Sequence, residues 1–169
     1  TDPDRTYSEL RETRQALAEA VERGDIDVTD LPLNSSIDCD MPNGGWVYFR
    51  FHLPLERRRS LLTCHVATHS GHPDLFVSNV ALPTLVDYVW KPPATGRTRL
   101  IIYPNDPSYR IGDYFVGVFA PASANFTLYV HSYMGEDGEG AWESHVFEAL
   151  THKFRTLTGH QGPQKEAGD

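Results

Sequence analysis

Residues 104–118 read Pro-Asn-Asp-Pro-Ser-Tyr-Arg-Ile-Gly-Asp-Tyr-Phe-Val-Gly-Val, and this segment is the most specific local signal in the chain. Asn105 and Asp106 before Pro107 predict a tight turn, because their side chains bond nearby backbone N–H groups while the proline fixes φ. The Gly-Asp-Tyr that follows resembles a tyrosine corner, in which the tyrosine hydroxyl ties a crossing between strands back to the upstream backbone. We therefore expect Tyr114 to lock a Greek-key connection.

Short strands separated by turn residues lie on both sides of this segment. From Trp46 to Leu53, large apolar residues occupy every second position, which is typical of a half-buried strand. Further strands are predicted over residues 61–68, 74–79, 87–91, 97–103, 113–120 and 125–132. No gap between them holds a crossover helix, so the pairing is expected to be largely antiparallel. The sequence predicts an all-β, antiparallel jelly-roll or Greek-key β-sandwich over residues 46–132.

A helix is predicted on the N-terminal side of the sandwich. Apolar residues recur at helical spacing from Tyr7 to Val21, and Arg14 interrupts their stripe. We expect this helix to lie against the sandwich. Residues 25–45 are rich in Asp, Pro, Asn and Ser, which predicts a loop. Residues 1–45 are thus predicted to be an N-terminal helix and loop.

A second helix is predicted after the last strand. Residues 135–140 are acidic and rich in glycine, which is typical of a linker. An apolar stripe at helical spacing follows, formed by Trp142, Val146, Phe147, Leu150, Phe154 and Leu157. Residues 133–169 are therefore predicted to be an acidic linker, an amphipathic C-terminal helix and a polar tail.

Length and charge narrow the function classes. The 169 residues suit one domain, and the net charge of −8 repels a phosphate backbone and an anionic membrane surface. Nucleic acid is therefore not an expected partner. No apolar run approaches the ~20 residues that cross a bilayer, so membrane insertion is not expected. The chain begins Thr-Asp-Pro-Asp, without an initiator Met or a signal-peptide pattern, and we expect a piece of a larger protein.

Four segments of the predicted sandwich carry a family resemblance. Residues 73–78 read Pro-Asp-Leu-Phe-Val-Ser, and residues 88–90 read Tyr-Val-Trp. Residues 112–118 read Gly-Asp-Tyr-Phe-Val-Gly-Val, and residues 126–130 read Phe-Thr-Leu-Tyr-Val. In this order they resemble the bacterial pre-peptidase C-terminal domain and its eukaryotic jelly-roll relatives, over about residues 46 to 132.

The resemblance implies a non-catalytic accessory module that binds matrix, glycans or neighbouring domains. It implies an extracellular location, although the sequence itself leaves an intracellular one open. Calcium is bound by some members of the family. Here His72 stands where an earlier acidic residue of the Asp-x-Asp pattern would fall, which leaves Asp74 alone. No cofactor is therefore expected, and calcium is the one candidate that the resemblance adds.

One segment invites a metal hypothesis, because it is rich in His, Cys and Asp, the usual zinc ligands. Cys64 would point to the opposite face of its strand from His69, so only His69, His72 and Asp74 could converge across the turn. Their spacing matches no standard zinc pattern, and solvated loop histidines are the simpler interpretation.

Motifs of hydrolases and nucleotide-binding enzymes are not found in the sequence. There is no Gly-x-Ser-x-Gly elbow, no His-Glu-x-x-His helix and no glycine-rich phosphate loop opening a helix. Cys64 falls in mid-strand, where a buried thiol is usually inert. The expectation is therefore a protein that is not an enzyme, since function must be argued from a site.

Three functions follow as hypotheses, the third being a metal-dependent enzyme that uses His69, His72 and Asp74. The first is a protein-interaction or scaffold module of a larger chain, which binds a protein or neighbouring domains with the loops around Asp74 and Asp106–Tyr109. The second is a secreted carbohydrate- or matrix-binding module, with exposed aromatics as a stacking platform, namely Trp46, Tyr48, Trp90, Tyr103 and Tyr109. A disulfide between Cys39 and Cys64 would favour the second, and free thiols the first. The predicted binding residues are Asp74, Trp90, Asp106 and Tyr109.

Overall fold

The computed structural model describes residues 3–94 and 99–134, which form one helix and two four-stranded sheets. The elements in chain order are α1 (Pro3–Arg23), β1 (Val28–Asp30), β2 (Ser35–Met41), β3 (Gly45–Leu53), β4 (Leu61–Ser70), β5 (Asp74–Ser78), β6 (Arg99–Ile102), β7 (Gly112–Ala120) and β8 (Ala124–Tyr133), with a short 3₁₀ turn at Leu55–Arg57 between β3 and β4.

Sheet A has the strand order β1-β3-β7-β5, and sheet B has the order β2-β8-β4-β6. From β2 to β8, every strand lies in the other sheet from the strand before it. All pairings are antiparallel except that of β1 with β3, which is parallel. The structure confirms a mostly antiparallel β-sandwich.

The core lies between the two sheets and follows the period-2 alternation of the strands. On β3, Phe49, Phe51 and Leu53 face the core, and on β7 they meet Val116 and Tyr114 as cross-strand partners. The rings of Phe51 and Tyr114 stack with their centroids 5.0 Å apart. These large side chains are almost fully buried, so each stabilises the fold by about 1.5–3 kcal/mol relative to exposure.

Two strands lie in the segment for which the sequence predicted a loop. The strand β2 pairs with β8 along its whole length, and β1 pairs with β3. On β2 the residues facing the core are Ile37, Cys39 and Met41, while Asp38 and Asp40 are exposed. Because Asp38 and Asp40 are typical loop residues, the alternating edge strand β2 was predicted to be a loop. The predicted domain boundary at residue 46 is therefore wrong, and the sandwich begins before it.

The strand predicted over residues 87–91 is not formed. This segment makes only a single bridge, in which Val77 of β5 pairs with Trp90. The Thr84 hydroxyl accepts hydrogen bonds from the N–H groups of residues 86 and 87, which turns the chain, and Pro92 then removes a backbone donor. The bridge still covers the free edge of β5 near its C-terminal end, at Val77, which protects that part of the edge from pairing with another chain.

The N-terminal helix is confirmed and is longer than the predicted apolar stripe. Leu10, Leu17 and Val21 are half-buried along one side of α1. Arg14 interrupts the apolar stripe on this side, and it also has a partner. Its guanidinium donates two hydrogen bonds, of 2.8 and 2.9 Å, to the carboxylate of Asp87. This ion pair joins the helix to the loop after β5.

The predicted acidic linker, C-terminal helix and polar tail lie outside the described residues. Within 3–94 and 99–134, no helix is long and apolar enough to cross a membrane.

Candidate interaction surface

The tyrosine corner forms as the sequence predicted. The Tyr114 hydroxyl donates a hydrogen bond of 2.6 Å to the carbonyl of Arg110 and accepts one of 3.1 Å from the N–H of the same residue. Burial is the main cause that raises the pKa of Tyr114, so its hydroxyl stays protonated and able to donate. One side chain thus satisfies both backbone groups of a residue four positions upstream and fixes the entry into β7.

Three of the four predicted binding residues meet beside this corner. The indole N–H of Trp90 donates to Asp106 at 3.0 Å, and the other carboxylate oxygen of Asp106 accepts from the N–H of Ser108 at 2.8 Å. The Tyr109 hydroxyl donates to the carbonyl of Ser60 at 2.6 Å. These bonds hold the 104–110 turn against the sandwich, so the three side chains are occupied by internal partners.

The fourth predicted residue, Asp74, is not brought to this group. It begins β5 and pairs with Phe119, whereas the turn contacts the other end of β5, where Asn79 donates to the carbonyl of Ser108 at 2.8 Å. The two predicted binding loops therefore lie at opposite ends of one strand.

The predicted metal ligands do not converge either. Among the residues that the structure describes, no three His, Cys, Asp or Glu side chains lie close enough to hold a metal ion. His69 instead has its Nε2 atom 2.8 Å from the hydroxyl of Thr127, which donates in turn to Asp38 at 2.6 Å. The trio of His69, His72 and Asp74 is therefore not assembled, because the first of them faces the outer surface of sheet B across from β8.

The two cysteines are free and are separated by a strand. Cys39 on β2 pairs with Phe126 of β8, and Cys64 on β4 pairs with Val130 of the same strand. Two strand spacings of about 4.8 Å keep their Cα atoms beyond the ~7 Å limit for a disulfide. Burial raises the pKa of the Cys64 thiol to about 12.

These positions predict a defined thiol count. Without reductant, the denatured chain should react with two equivalents of a thiol reagent. The native chain at pH 8 should react slowly and at Cys39 alone, because the half-buried Cys39 thiol has a pKa raised by burial, whereas Cys64 is fully buried with a pKa of about 12. Cys39→Ser should then leave no thiol that reacts in the native chain. Zero equivalents in the denatured chain would show a disulfide and contradict the strand register.

The outer face of sheet A carries an aromatic layer. The ring of Trp46 stacks on that of Tyr48 with their centroids 5.4 Å apart. Its centroid also lies 5.4 Å from that of the Phe76 ring and 5.2 Å from that of the Phe119 ring. The loop after β5 covers this layer, because the Tyr48 hydroxyl donates to the carbonyl of Pro83 at 2.8 Å. Gly117 permits this approach, since a Cβ there would lie 2.9 Å from both Pro83 and Trp46.

The five aromatics proposed as a stacking platform are therefore dispersed. Trp46 and Tyr48 belong to the covered layer, and Tyr48 is buried. Trp90 packs in the core and Tyr109 is bonded to Ser60. Tyr103 follows β6 in the other sheet and is partly exposed.

The loop that covers the aromatic layer exposes aliphatic side chains to solvent. We call residues 80–88 the apolar loop. Val86 is 87% exposed, Leu85 53%, Val80 49% and Tyr88 39%. On the surface of soluble domains, exposed apolar residues usually occur one at a time. Several of them on one short segment are typical of a contact surface.

The apolar loop is anchored at several points although its tip is exposed. Pro83 accepts the bond from Tyr48, and Asp87 accepts both bonds from Arg14 of α1. The Lys91 ammonium lies over the ring of Tyr88, 5.9 Å from its centroid. A loop held in this way presents its apolar tip without a large entropy cost on binding.

This surface was not predicted from the sequence. Leu85 and Val86 lie between Thr84 and Asp87, close to predicted strands. Two apolar residues beside a strand are usually expected to belong to the hydrophobic core. The available signal was the loss of alternation across residues 80–86, which read Val-Ala-Leu-Pro-Thr-Leu-Val.

Removing the helix anchor should loosen α1 without unfolding the sandwich. In Arg14→Ala, two charge-assisted hydrogen bonds to the nearly buried Asp87 are lost, and we expect about 1–2 kcal/mol of destabilisation. Hydrogen exchange of the α1 amides should become faster, while that of β3 and β7 should be little changed. Arg11→Ala is the matched control, since Arg11 is exposed on the same helix. Equal effects of the two variants would contradict the anchoring role.

The sequence matches no family model and no curated protein. The fold is similar to several solved structures, including the following two. One is the pre-peptidase C-terminal domain of a collagenase from Bacillus anthracis, with 14% identity over 62% of this chain and 95% of that domain, and a TM-score of 0.46. The other is PliG of Aeromonas hydrophila, a periplasmic inhibitor of g-type lysozyme, with 13% identity over 63% of this chain and 98% of that protein, and a TM-score of 0.44. A pre-peptidase C-terminal domain, the kind of module that the sequence resembles, is thus among the solved structures of similar fold.

Proposed function

We propose that this chain is a non-catalytic protein-interaction module of a larger protein, and that the apolar loop is its contact surface. The observation that carries the proposal is the exposure of Leu85 and Val86 at the tip of an anchored loop. Their burial by a partner would remove apolar surface from water at ~25 cal/mol per Å². The partner is a neighbouring domain or a separate protein that offers an apolar groove to this tip.

Side-chain chemistry favours a protein over a glycan as the ligand. Sugar rings stack on flat aromatic faces, whereas the tip of the apolar loop carries branched aliphatic side chains. The free thiols of Cys39 and Cys64 also favour the interaction module over the secreted carbohydrate-binding alternative.

The non-catalytic part of the proposal is supported by the state of the reactive groups. Cys64 is fully buried and its thiol has a pKa of about 12, so it is a poor nucleophile. Trp90, Asp106 and Tyr109 stabilise the turn after β6 through internal bonds. They contribute to function by holding the frame on which the apolar loop is mounted.

The jelly-roll connectivity belongs to the same proposal. It is supported by the alternation of consecutive strands between the sheets and by the antiparallel order β2-β8-β4-β6. In this connectivity, the segment around Trp90 would be an edge strand of sheet A next to β5, reduced here to the single bridge between Val77 and Trp90.

Photo-crosslinking tests the contact surface. A photoreactive amino acid at position 86 in the parent protein should form a protein adduct, while the same group at Ser36, which is exposed on β2, should not. Leu85→Asp in the position-86 variant should remove the adduct. Equal adducts from both positions, or an adduct that survives Leu85→Asp, would refute the assignment of the apolar loop.

A further inference from the structure

Two turns meet at one end of the sandwich. Residues 54–60 lead from β3 to β4, and residues 103–111 lead from β6 to β7. The Tyr109 hydroxyl of the second turn donates to the carbonyl of Ser60 in the first turn at 2.6 Å. We call the surface of these two turns the arginine end. Because this bond joins the turns, the surface exists before a partner binds, and little conformational entropy is lost on binding.

Exposed aliphatic side chains lie next to each other at the arginine end. Leu55 is 58% exposed and Ile111 is 44% exposed. Leu53 and Gly112 are the last pair of the β3–β7 ladder at this end, so the chain around Leu55 and Ile111 leaves the sheet beside the same pair. The two residues belong to different turns, and together they expose apolar surface to solvent.

The arginine end is positively charged although the chain is acidic. Its two turns hold four arginines, at positions 57, 58, 59 and 110, and two carboxylates, at positions 56 and 106. Four positive and two negative charges give +2, whereas the whole chain carries −8. Asp106 accepts hydrogen bonds from within the domain, so Glu56 is the carboxylate that is exposed here. The arginine end therefore attracts negative charge, whereas the chain as a whole repels it.

Neutral oxygen atoms hold three of these guanidinium groups. Arg57 donates to the hydroxyl of Ser132 at 2.9 Å. Arg58 donates to a backbone carbonyl at 3.3 Å, and Arg110 donates to another at 2.8 Å. None of the three forms an ion pair with a carboxylate of the described residues. Each guanidinium carries five N–H donors, so donors remain for the carboxylates of a partner.

We propose that the arginine end binds an acidic segment of a second partner protein, in which aliphatic side chains stand among the carboxylates. The carboxylates pair with Arg58 and Arg110, and the aliphatic side chains cover Leu55 and Ile111. The arginine end is separate from the apolar loop, so the two surfaces are tested by different substitutions.

Charge favours a short acidic segment over a large polyanion. At physiological salt, exposed charges interact over ~8 Å, so a segment that stays on the arginine end is attracted by the arginines nearby. A nucleic acid or an anionic membrane extends beyond this surface and meets the remainder of the chain, which is net negative. Aliphatic side chains of a protein segment also match the exposed Leu55 and Ile111.

Selection from a library of random displayed peptides tests the proposal. The target is the full chain with Val86→Asp, so that peptides for the apolar loop do not dominate. The selected peptides should be enriched in Asp and Glu next to Leu, Ile or Val. A selected peptide labelled with fluorescein should then bind the unmodified chain and the Val86→Asp variant equally, as measured by fluorescence anisotropy.

Substitutions at the arginine end locate the binding of this peptide. Arg58→Glu should weaken it at least about tenfold, because a repulsive charge replaces an attractive one. Leu55→Asp should weaken it by a similar factor. Arg11→Glu is the matched control, since Arg11 is exposed on α1, and it should leave the affinity within about twofold. The melting temperatures of the variants should change little, because all three side chains are exposed.

Three results would overturn the proposal. The first is a selection without enrichment of Asp and Glu. The second is an acidic peptide that binds Arg58→Glu and Leu55→Asp as tightly as the unmodified chain, or that Arg11→Glu weakens equally. The third is cosedimentation with phosphatidylserine vesicles that is lost in Arg58→Glu while acidic peptides do not bind, because a membrane surface would then be the partner.

Discussion

Tyr114→Phe should lower the melting temperature of the chain by about 5–10 °C. The substitution keeps the ring, which is fully buried and stacks on Phe51, and removes only the hydroxyl. The N–H and the carbonyl of Arg110 both lose their partner, and each orphaned group costs about 1–3 kcal/mol. We expect a total loss of about 2–4 kcal/mol in the free energy of unfolding.

Tyr109→Phe is the matched control for this prediction. It removes one hydroxyl that donates to the Ser60 carbonyl, at a residue that is only half-buried. Its loss should be about 1–3 kcal/mol, because one carbonyl, that of the fully buried Ser60, is orphaned instead of two backbone groups. Chemical denaturation of the two variants with equal m-values would compare them directly. A Tyr114→Phe variant as stable as the unmodified chain would show that the corner does not hold the crossing.

Replacing both tip residues, in Leu85→Asp with Val86→Asp, should reduce affinity for the crosslinked partner by at least about 100-fold. Each aspartate would place a charge in an apolar contact without an opposite charge to meet it, in addition to the lost apolar burial. The melting temperature should change little, because both side chains are exposed in the free chain. Titration calorimetry with the partner measures the affinity, and differential scanning calorimetry measures the stability.

A double substitution on the opposite sheet is the control for this loss. Ser36 and Asp40 are exposed on β2 and can be changed to Lys without touching the core. Their substitution should leave affinity within about threefold, since rim and remote charges contribute little. If the two double variants weakened binding equally, the contact surface would not be the apolar loop.

The parts of the fold with strong local rules were predictable from sequence. The turn before Pro107 and the Gly-x-Tyr pattern predicted the bond from Tyr114 to the backbone of Arg110, because both signals act within ten residues. The alternation in β3 was equally clear. Such features depend on local geometry, which the sequence specifies directly.

The missed features depend on contacts distant in sequence. β2 is a strand because β8 pairs with it, although its aspartates resemble a loop. The indole of Trp90 donates to Asp106, 16 residues away, and residues 87–91 make one bridge to Val77 in place of a strand. Arg14 was predicted to interrupt an apolar stripe, and its partner Asp87 lies 73 residues away. Tertiary contacts override local propensity in each case.

The candidate site was the least predictable part. The binding residues were predicted from polar and aromatic side chains in turns, namely Asp74, Trp90, Asp106 and Tyr109. In the structure, three of these four side chains have hydrogen-bond partners within the domain. The exposed pair at Leu85 and Val86 has no chemical motif at all. Its significance depends on exposure, which is set by how the loop lies over the aromatic layer.

Hydrogen exchange of the chain, free and saturated with its crosslinked partner, tests most directly whether the apolar loop is the contact surface. We expect exchange of the amides of residues 80–88 to slow at least tenfold on binding, with the 104–110 turn and β2 unchanged. Unchanged exchange in the apolar loop, together with new protection at the turn or on β2, would contradict the account and move the interaction to another surface.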